Sequence, residues 1–183
     1  VLIEMGKMKI GIDIDEVVVE FFKEYLNLFN ERFGKELVLE NITQYGLADL
    51  TGVSPEEILG LMREFNDSEK FFDVQLIEGA KEAVDVLFEN YDLFFITSRP
   101  EEIKENTLKY FEMVFPGKQH NIFFSSEYWG GSKSKAQICD ELGVKLLIED
   151  RRKYALECAQ SGIKVLLFDK PWNQDCEHEN IKR

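Results

Sequence analysis

Two rhythms of apolar and polar positions divide the chain. Residues 8–14, MKIGIDI, form an almost unbroken apolar run and predict a strand that ends at Asp13 and Asp15. The next stretch, EVVVEFFKEYLNLFNERFG, brings Val18, Phe21, Phe22, Tyr25, Leu28 and Phe29 to one helical face. It predicts a helix over 16–33, with Gly34 as its stop. A second helix, over 54–66, has Ser54 at its N-cap, Pro55 at the first helical position and Glu57 closing a capping box. Residues 17 to about 76 therefore read as helices joined by loops.

From residue 77 the rhythm changes. Helices over 79–90, 99–113, 132–143 and 151–162 alternate with strands over 91–98, 121–125, 144–150 and 163–169. These strands are apolar nearly throughout, as expected of a parallel sheet covered on both faces. The predicted architecture is a Rossmann-like α/β core from 1–16 and 77–183, interrupted after its first strand by a small helical cap over 17–76. Ligands of open parallel sheets bind beyond the carboxyl ends of the strands, and the search for chemistry begins there.

Composition narrows the classes. The 183 residues suffice for one core with a small insertion, and a hydrophobic fraction of 44% with 15 phenylalanines excludes disorder. Asp and Glu outnumber Lys and Arg by 35 to 22, a net charge of -13 that disfavours nucleic-acid polymers and acidic membranes but leaves a small anionic ligand open. No run approaches the roughly 20 apolar residues of a membrane span, and the opening VLIEMGKMKI is too short and too acidic for a signal peptide. Cys139, Cys158 and Cys176 form no CxxC pair and read as reduced thiols of a cytoplasmic protein. The CEH at 176–178 could ligate a metal, but reads as a solvated tail.

The strand ends hold the candidate chemistry: Asp13-Ile14-Asp15, Thr97-Ser98-Arg99, and Glu149-Asp150-Arg151, with Lys133 and Lys135 opening the helix after the third strand. Each group has a plain structural alternative. Asp15 could cap the helix that follows it, Thr97 or Ser98 the helix opened by Pro100, and the lysines could be solvated. Capping leaves Asp13 unexplained. Four carboxylates in one partly desolvated cleft repel one another and call for a divalent cation, for which a few hard oxygen ligands suit Mg²⁺. A cation, a hydroxyl and a lysine together make a receptor for phosphate. With His120 and His178 the only histidines and no Ser-His-Asp set, a carboxylate is the candidate nucleophile. Phosphoryl transfer through an aspartyl-phosphate follows.

These four segments resemble, in order, the motifs of the haloacid dehalogenase (HAD) superfamily of phosphohydrolases. IGIDIDEVV resembles the first motif, which implies Asp13 as nucleophile and Asp15 as general acid/base. LFFITS resembles the second, implying phosphate contacts from Thr97 and Ser98. SKSKAQICDELG resembles the third, with Lys135 fitting the motif spacing better than Lys133. LLIEDR resembles the fourth, so that the implied Mg²⁺ site comprises Asp13, Asp15 (through its backbone carbonyl), Asp150 and Glu149. The resemblance implies strand order 5-4-1-2-3. TSRP, IEDRRKYALECAQSGIKVLLFDKPWN and the short cap are similar to the 5'(3')-deoxyribonucleotidase group. The implied substrate is a small phosphorylated molecule, a nucleotide, with Arg99, Phe21, Phe22, Phe71 and Phe72 as candidate contacts; a sugar phosphate or a non-catalytic binding module are the alternatives. A receiver-like phosphoacceptor domain fits less well, because its lysine should follow the last strand. Monomer and homodimer both stay open. One position departs from the family: Glu16 stands where glycine or another small residue is usual, and must either crowd the site or turn toward the cap.

Overall fold

The computed structural model describes residues 6–43, 46–125 and 133–183. Its centre is a six-stranded parallel sheet built from β1 (Lys9–Ile12), β2 (Asp92–Thr97), β3 (Ile122–Phe124), β4 (Leu146–Glu149), β5 (Lys164–Leu167) and β6 (Ile181–Lys182). The spatial order is β3-β2-β1-β4-β5-β6, the expected order with one strand added at the edge. That sixth strand corrects the reading of residues 176–178 as a solvated tail: Cys176 is buried, and Ile181 pairs with Val165. A run of only two paired residues carries too little periodicity to be visible in sequence.

Alternation along each strand sorts side chains to the two faces. Ile10, Ile12, Leu93 and Phe95 pack on one face against Val84 of α4 (Ala80–Asn90) and Phe111 of α5 (Lys104–Val114). Ile96, Leu147 and Val165 pack on the other, against Ile138 of α6 (Lys135–Leu142) and Ala155 and Cys158 of α7 (Arg152–Gln160). Gly11 lies between β2 and β4 in the sheet, where a Cβ would come within 2.9 Å of Ile96 and 3.0 Å of Leu147.

Between β1 and α4 the described residues include the helices α1 (Phe21–Phe33), α2 (Leu47–Thr51) and α3 (Pro55–Asn66), with short 3-10 turns. The capping box at Ser54 and Glu57 is present, and Gly34 ends α1 in the left-handed conformation. Tyr25, Phe29 and Phe65 of these helices belong to the same buried cluster as the strand residues Ile10 and Phe95.

The first helix begins at Phe21, five residues later than the pattern predicts. Leaving β1, the chain turns back on itself: the Val18 and Val19 amides donate to the Ile14 carbonyl at 2.8 and 3.0 Å, and the Glu16 amide donates to Val19 at 2.8 Å. Residues 18–20 then pair with the returning segment through the Glu20 amide to Gln75 and the Ile77 amide to Val18, both at 2.9 Å. Val17, Val18 and Val19 are buried in this turn, so their apolar run mimics the first turn of a helix. The segment after Pro100 is likewise tighter than predicted, a 3-10 turn over Glu101–Ile103 before α5.

Overpacking a dense interior costs about 1–3 kcal/mol. Gly11→Ala is expected to lower the urea midpoint by an equivalent of about 2 kcal/mol, with an unchanged denaturant slope; a neutral result would show that Ile96 and Leu147 move aside freely.

Candidate active site

Parallel pairing brings the strand ends together. Ile12 is in register with Phe95 on β2 and with Ile148 on β4, and the Asp13 amide extends the ladder by donating to the Ile148 carbonyl at 2.9 Å. Asp13 thus emerges beside Glu149, and Thr97 ends the neighbouring strand. Lys135, the first residue of α6, reaches this edge from the other face. Its Nζ lies 2.7 Å from Asp13 Oδ1 and 2.7 Å from Glu149 Oε2, over the ring of Tyr154 at 4.6 Å. Lys133 instead pairs with Glu141 at the surface. Of the two lysines, Lys135 is the one that the fold places at the acidic strand ends.

Asp13, Glu149 and Asp150 form a buried cluster in which one carboxylate oxygen from each lies within 4.8 Å of the others. Glu149 is fully engaged: Oε2 meets Lys135, while Oε1 accepts the Asp150 and Arg151 amides at 3.1 and 3.0 Å. Asp150 is oriented from the C-terminal side. Trp172 Nε1 donates to Asp150 Oδ2 at 2.9 Å, and Asn173 Nδ2 donates to the Asp150 carbonyl at 2.6 Å and to the Phe168 carbonyl at 2.7 Å.

Burial penalises charge on all three acids. Desolvation, reinforced by neighbouring Glu149, pushes Asp13 up to about 8. Desolvation and Asp13 push Asp150 up to about 7, and desolvation also raises Glu149. For Lys135, burial alone would lower the pKa, but the charges of Asp13 and Glu149 outweigh it and hold the ammonium above its ordinary value. Three carboxylates against one buried ammonium leave an excess of negative charge when all are ionised, which Arg151 beside Asp150 offsets in part. A hard divalent cation suits that excess in both charge and donor type.

Asp15 stands apart from this cluster. Its carboxylate is clasped by Arg99, with Nε at 3.1 Å from both oxygens and Nη2 at 2.6 Å from Oδ1. Arg99 is buried, donates through Nη1 to Thr107 at 3.2 Å, and has Phe21 and Phe71 rings 5.2 Å from its guanidinium carbon. Its backbone amide donates to Thr97 Oγ1 at 3.2 Å. The side chain of Arg99 thus anchors Asp15.

A cavity of about 200 Å³ opens beside Asp15, with Ser98, Phe21, Phe22, Tyr25, Leu47 and Met62 among its lining. Of the four candidate aromatics, Phe21 and Phe22 border this space, whereas Phe71 is buried under Arg99 and Phe72 packs edge-on against Phe71 at 5.4 Å. Aromatic residues at helical spacing look alike in sequence whether they face a core or a cavity.

Glu16 turns away from the cluster. It is a non-glycine residue with φ of 61°, a left-handed conformation costing roughly 1–2 kcal/mol. Its Oε1 accepts the Phe22 amide at 2.7 Å, and Lys170 lies 3.7 Å from Oε2. Glu20, the residue at the N-cap of α1, makes no side-chain cap, so Glu16 caps this helix from inside the preceding turn.

Residues 7–182 match the family model described as "5' nucleotidase, deoxy (Pyrimidine), cytosolic type C protein". The chain belongs to this family. A protein of Clostridium acetobutylicum named as a nucleotidase is 28% identical over 182 residues, covering 98% of this chain and 89% of that protein. Among solved structures, a haloacid dehalogenase-like hydrolase of Streptococcus pneumoniae superposes with a TM-score of 0.69 at 17% identity, covering 92% of this chain and 88% of that one. A HAD family hydrolase of Deinococcus radiodurans R1, solved with bound phosphate and sodium, gives 0.62 at 19% identity over 86% and 79% of the two chains. The protein is an enzyme of this nucleotidase family with the fold of the haloacid dehalogenase-like hydrolases.

Within this nucleotidase-family chain, Trp172, Asn173, Thr107 and Tyr154 support the site without having been singled out by sequence. The only signal was the PWN run after the last long strand, and nothing in it pointed to Asp150.

Glu16 also sets a pH dependence. Desolvation raises its carboxyl from 4.5 to about 7. Its contribution to stability is therefore fully present below pH 4.5 and is lost as pH rises through about 7. Glu16→Gln keeps an acceptor for Phe22 and removes the buried charge. In chelator, it should be more stable than wild type by roughly 1–3 kcal/mol at pH 8 and about equal at pH 4.5; parallel urea midpoints at the two pH values would refute this account of Glu16.

Proposed function

We propose that this chain is a Mg²⁺-dependent 5'-nucleotidase that hydrolyses nucleoside monophosphates through an aspartyl-phosphate. The observation that carries the reading is the juxtaposition of the buried Asp13–Lys135–Glu149–Asp150 cluster with Asp15 at the mouth of a largely apolar cavity. The carboxylates of Asp13 and Asp150 and the backbone carbonyl of Asp15 would hold the cation, with Glu149 fixing Lys135 and the turn that carries Asp150. Bound there, Mg²⁺ would neutralise the acidic cluster and draw in the phosphate.

The residues divide the work by position. Asp13 attacks phosphorus, forming the Oδ–P bond as the ester P–O bond breaks. Asp15 gives its proton to the departing ester oxygen, then takes a proton from the water that cleaves the aspartyl-phosphate. The oxygen suited to that proton is Oδ2, which has one 3.1 Å contact with Arg99, whereas Oδ1 has two. Lys135 and the hydroxyls of Thr97 and Ser98 stabilise charge on the transferring group. Residues 17–76 serve as the cap that supplies the leaving-group side, and residues 1–16 with 77–183 as the core that carries the chemistry.

The aromatic and aliphatic side chains of the lining, Phe21, Phe22, Leu47 and Met62 among them, suit the flat faces of a nucleobase, which a sugar phosphate lacks, and this supports a nucleoside as leaving group. The three cysteines, all free and buried, and the lack of a helix able to span a membrane among the described residues support assignment to the cytoplasm.

Asp13→Asn is expected to reduce Mg²⁺-dependent phosphate release from an aryl phosphate by at least about 10³-fold. No release by wild type in any divalent cation would leave only a binding role. Chelation should abolish activity and Mg²⁺ restore it. A panel of deoxynucleoside and ribonucleoside monophosphates against sugar phosphates decides the substrate class, and a flat or sugar-preferring profile would remove the nucleotidase assignment.

A further inference from the structure

The cavity beside Asp15 contains one feature that packing does not explain. Asn66, the last residue of α3, is only 3% exposed and lines this cavity, yet its carboxamide oxygen is buried with no hydrogen-bond partner among the described residues. Its backbone is fixed: the Asn66 carbonyl accepts Asn106 Nδ2 of α5 at 3.0 Å, tying the end of α3 to the core helix. The side chain is therefore held at the cavity wall by bonds that do not involve its amide.

A buried carboxamide oxygen without a partner is unfavourable, and an apolar residue of similar size would suit a wall of Phe21, Phe22, Ile58 and Met62 better. The oxygen and nitrogen of a carboxamide exchange places by a half-turn about one bond, so the group can offer a donor and an acceptor side by side. That pairing is complementary to a planar heterocycle with a donor–acceptor edge, such as the amide-like or amidine-like edge of a nucleobase. Aryl and sugar leaving groups have no such planar edge.

We propose that Asn66 is the specificity-determining residue of this site, reading the hydrogen-bonding edge of the base while Phe22 at the cavity wall contacts its face. The inference deepens the nucleoside monophosphate reading and rests on it. Asn66 takes no part in bond making; it aligns the leaving group so that its ester oxygen meets Asp15. A site built around such a pairing rejects ligands that lack it far more strongly than an apolar wall does.

Steady-state kinetics of the Mg²⁺-loaded protein on the best nucleoside monophosphate and on phenyl phosphate test this. In Asn66→Leu the ratio of kcat/KM for nucleotide over phenyl phosphate should fall on the order of 10- to 100-fold. A merely structural Asn66 would lower both values together and leave the ratio intact, which overturns the inference. Should Asn66→Leu not fold, Asn66→Ala serves the same comparison. A second measurement needs no variant: methylating the ring nitrogen at the base's donor–acceptor edge should lower kcat/KM of wild type on the order of 10-fold or more. Equal rates for methylated and parent nucleotide would also overturn it. The two failures are distinguishable. A wild type that hydrolyses phenyl phosphate as well as any nucleotide defeats the nucleotide reading, and this inference with it. A clear nucleotide preference with an unchanged ratio in the variant defeats the role of Asn66 alone.

Discussion

Everything at the sheet edge depends on one buried ammonium. Lys135 ties α6 to the ends of β1 and β4 at once, through Asp13 and Glu149. Without it, three carboxylates would face one another in a space closed to water, and the adjoining strands could not carry acids at these positions. With it, the repulsion is reduced but not removed, and the remaining charge imbalance makes the site attractive to a cation. The same lysine thus stabilises the fold and keeps the site incompletely neutralised.

A second layer of constraints fixes the groups around that lysine, each from a different direction. The 3-10 turn carrying Trp172 and Asn173 grips both the side chain and the carbonyl of Asp150. Arg99, buried between two phenylalanine rings, grips Asp15. Glu16 links the N-terminus of α1 to Lys170 of the loop that leads into the Trp172 turn. The edge of Phe22 also meets the Trp172 ring, with centroids 6.1 Å apart. The helical layer and the acidic cluster are therefore connected through packed and hydrogen-bonded contacts as well as through the chain.

Much of this was legible before any coordinates. Apolar runs ending in acids marked β1 and β4, and the end of β2 in Thr97-Ser98 completed the edge, because parallel pairing forces strand termini into one place. Motif spacing to Gly143 favoured Lys135 over Lys133 as an implication of the resemblance, and Lys135 is the lysine found at the strand ends. What sequence could not disclose were the directions of long side chains. Arg99 and its partner Asp15 are 84 positions apart, and the choice between substrate and ion pair depends on a rotamer. The left-handed turn at Glu16 was hidden because such turns favour glycine, and because three buried valines imitated a helical start. Asn66 gave no signal at all, since a lone polar residue near a helix end is ordinary in sequence and becomes unusual only once its surroundings are dry.

The two outer strands of the sheet have a consequence for the behaviour of the protein in crowded solution. Among the described residues β3 has three residues and β6 two, so each outer strand there presents only a brief row of backbone groups. A parallel sheet needs strong central pairing to form its site, and such pairing would be hazardous if it continued to a long open rim, where a foreign strand could dock. Tapering to both sides confines the longer runs of strand pairing to the middle of the sheet, beside the buried acidic cluster. Short outer strands and a central acidic cluster are in this fold two features of the same tapered outline.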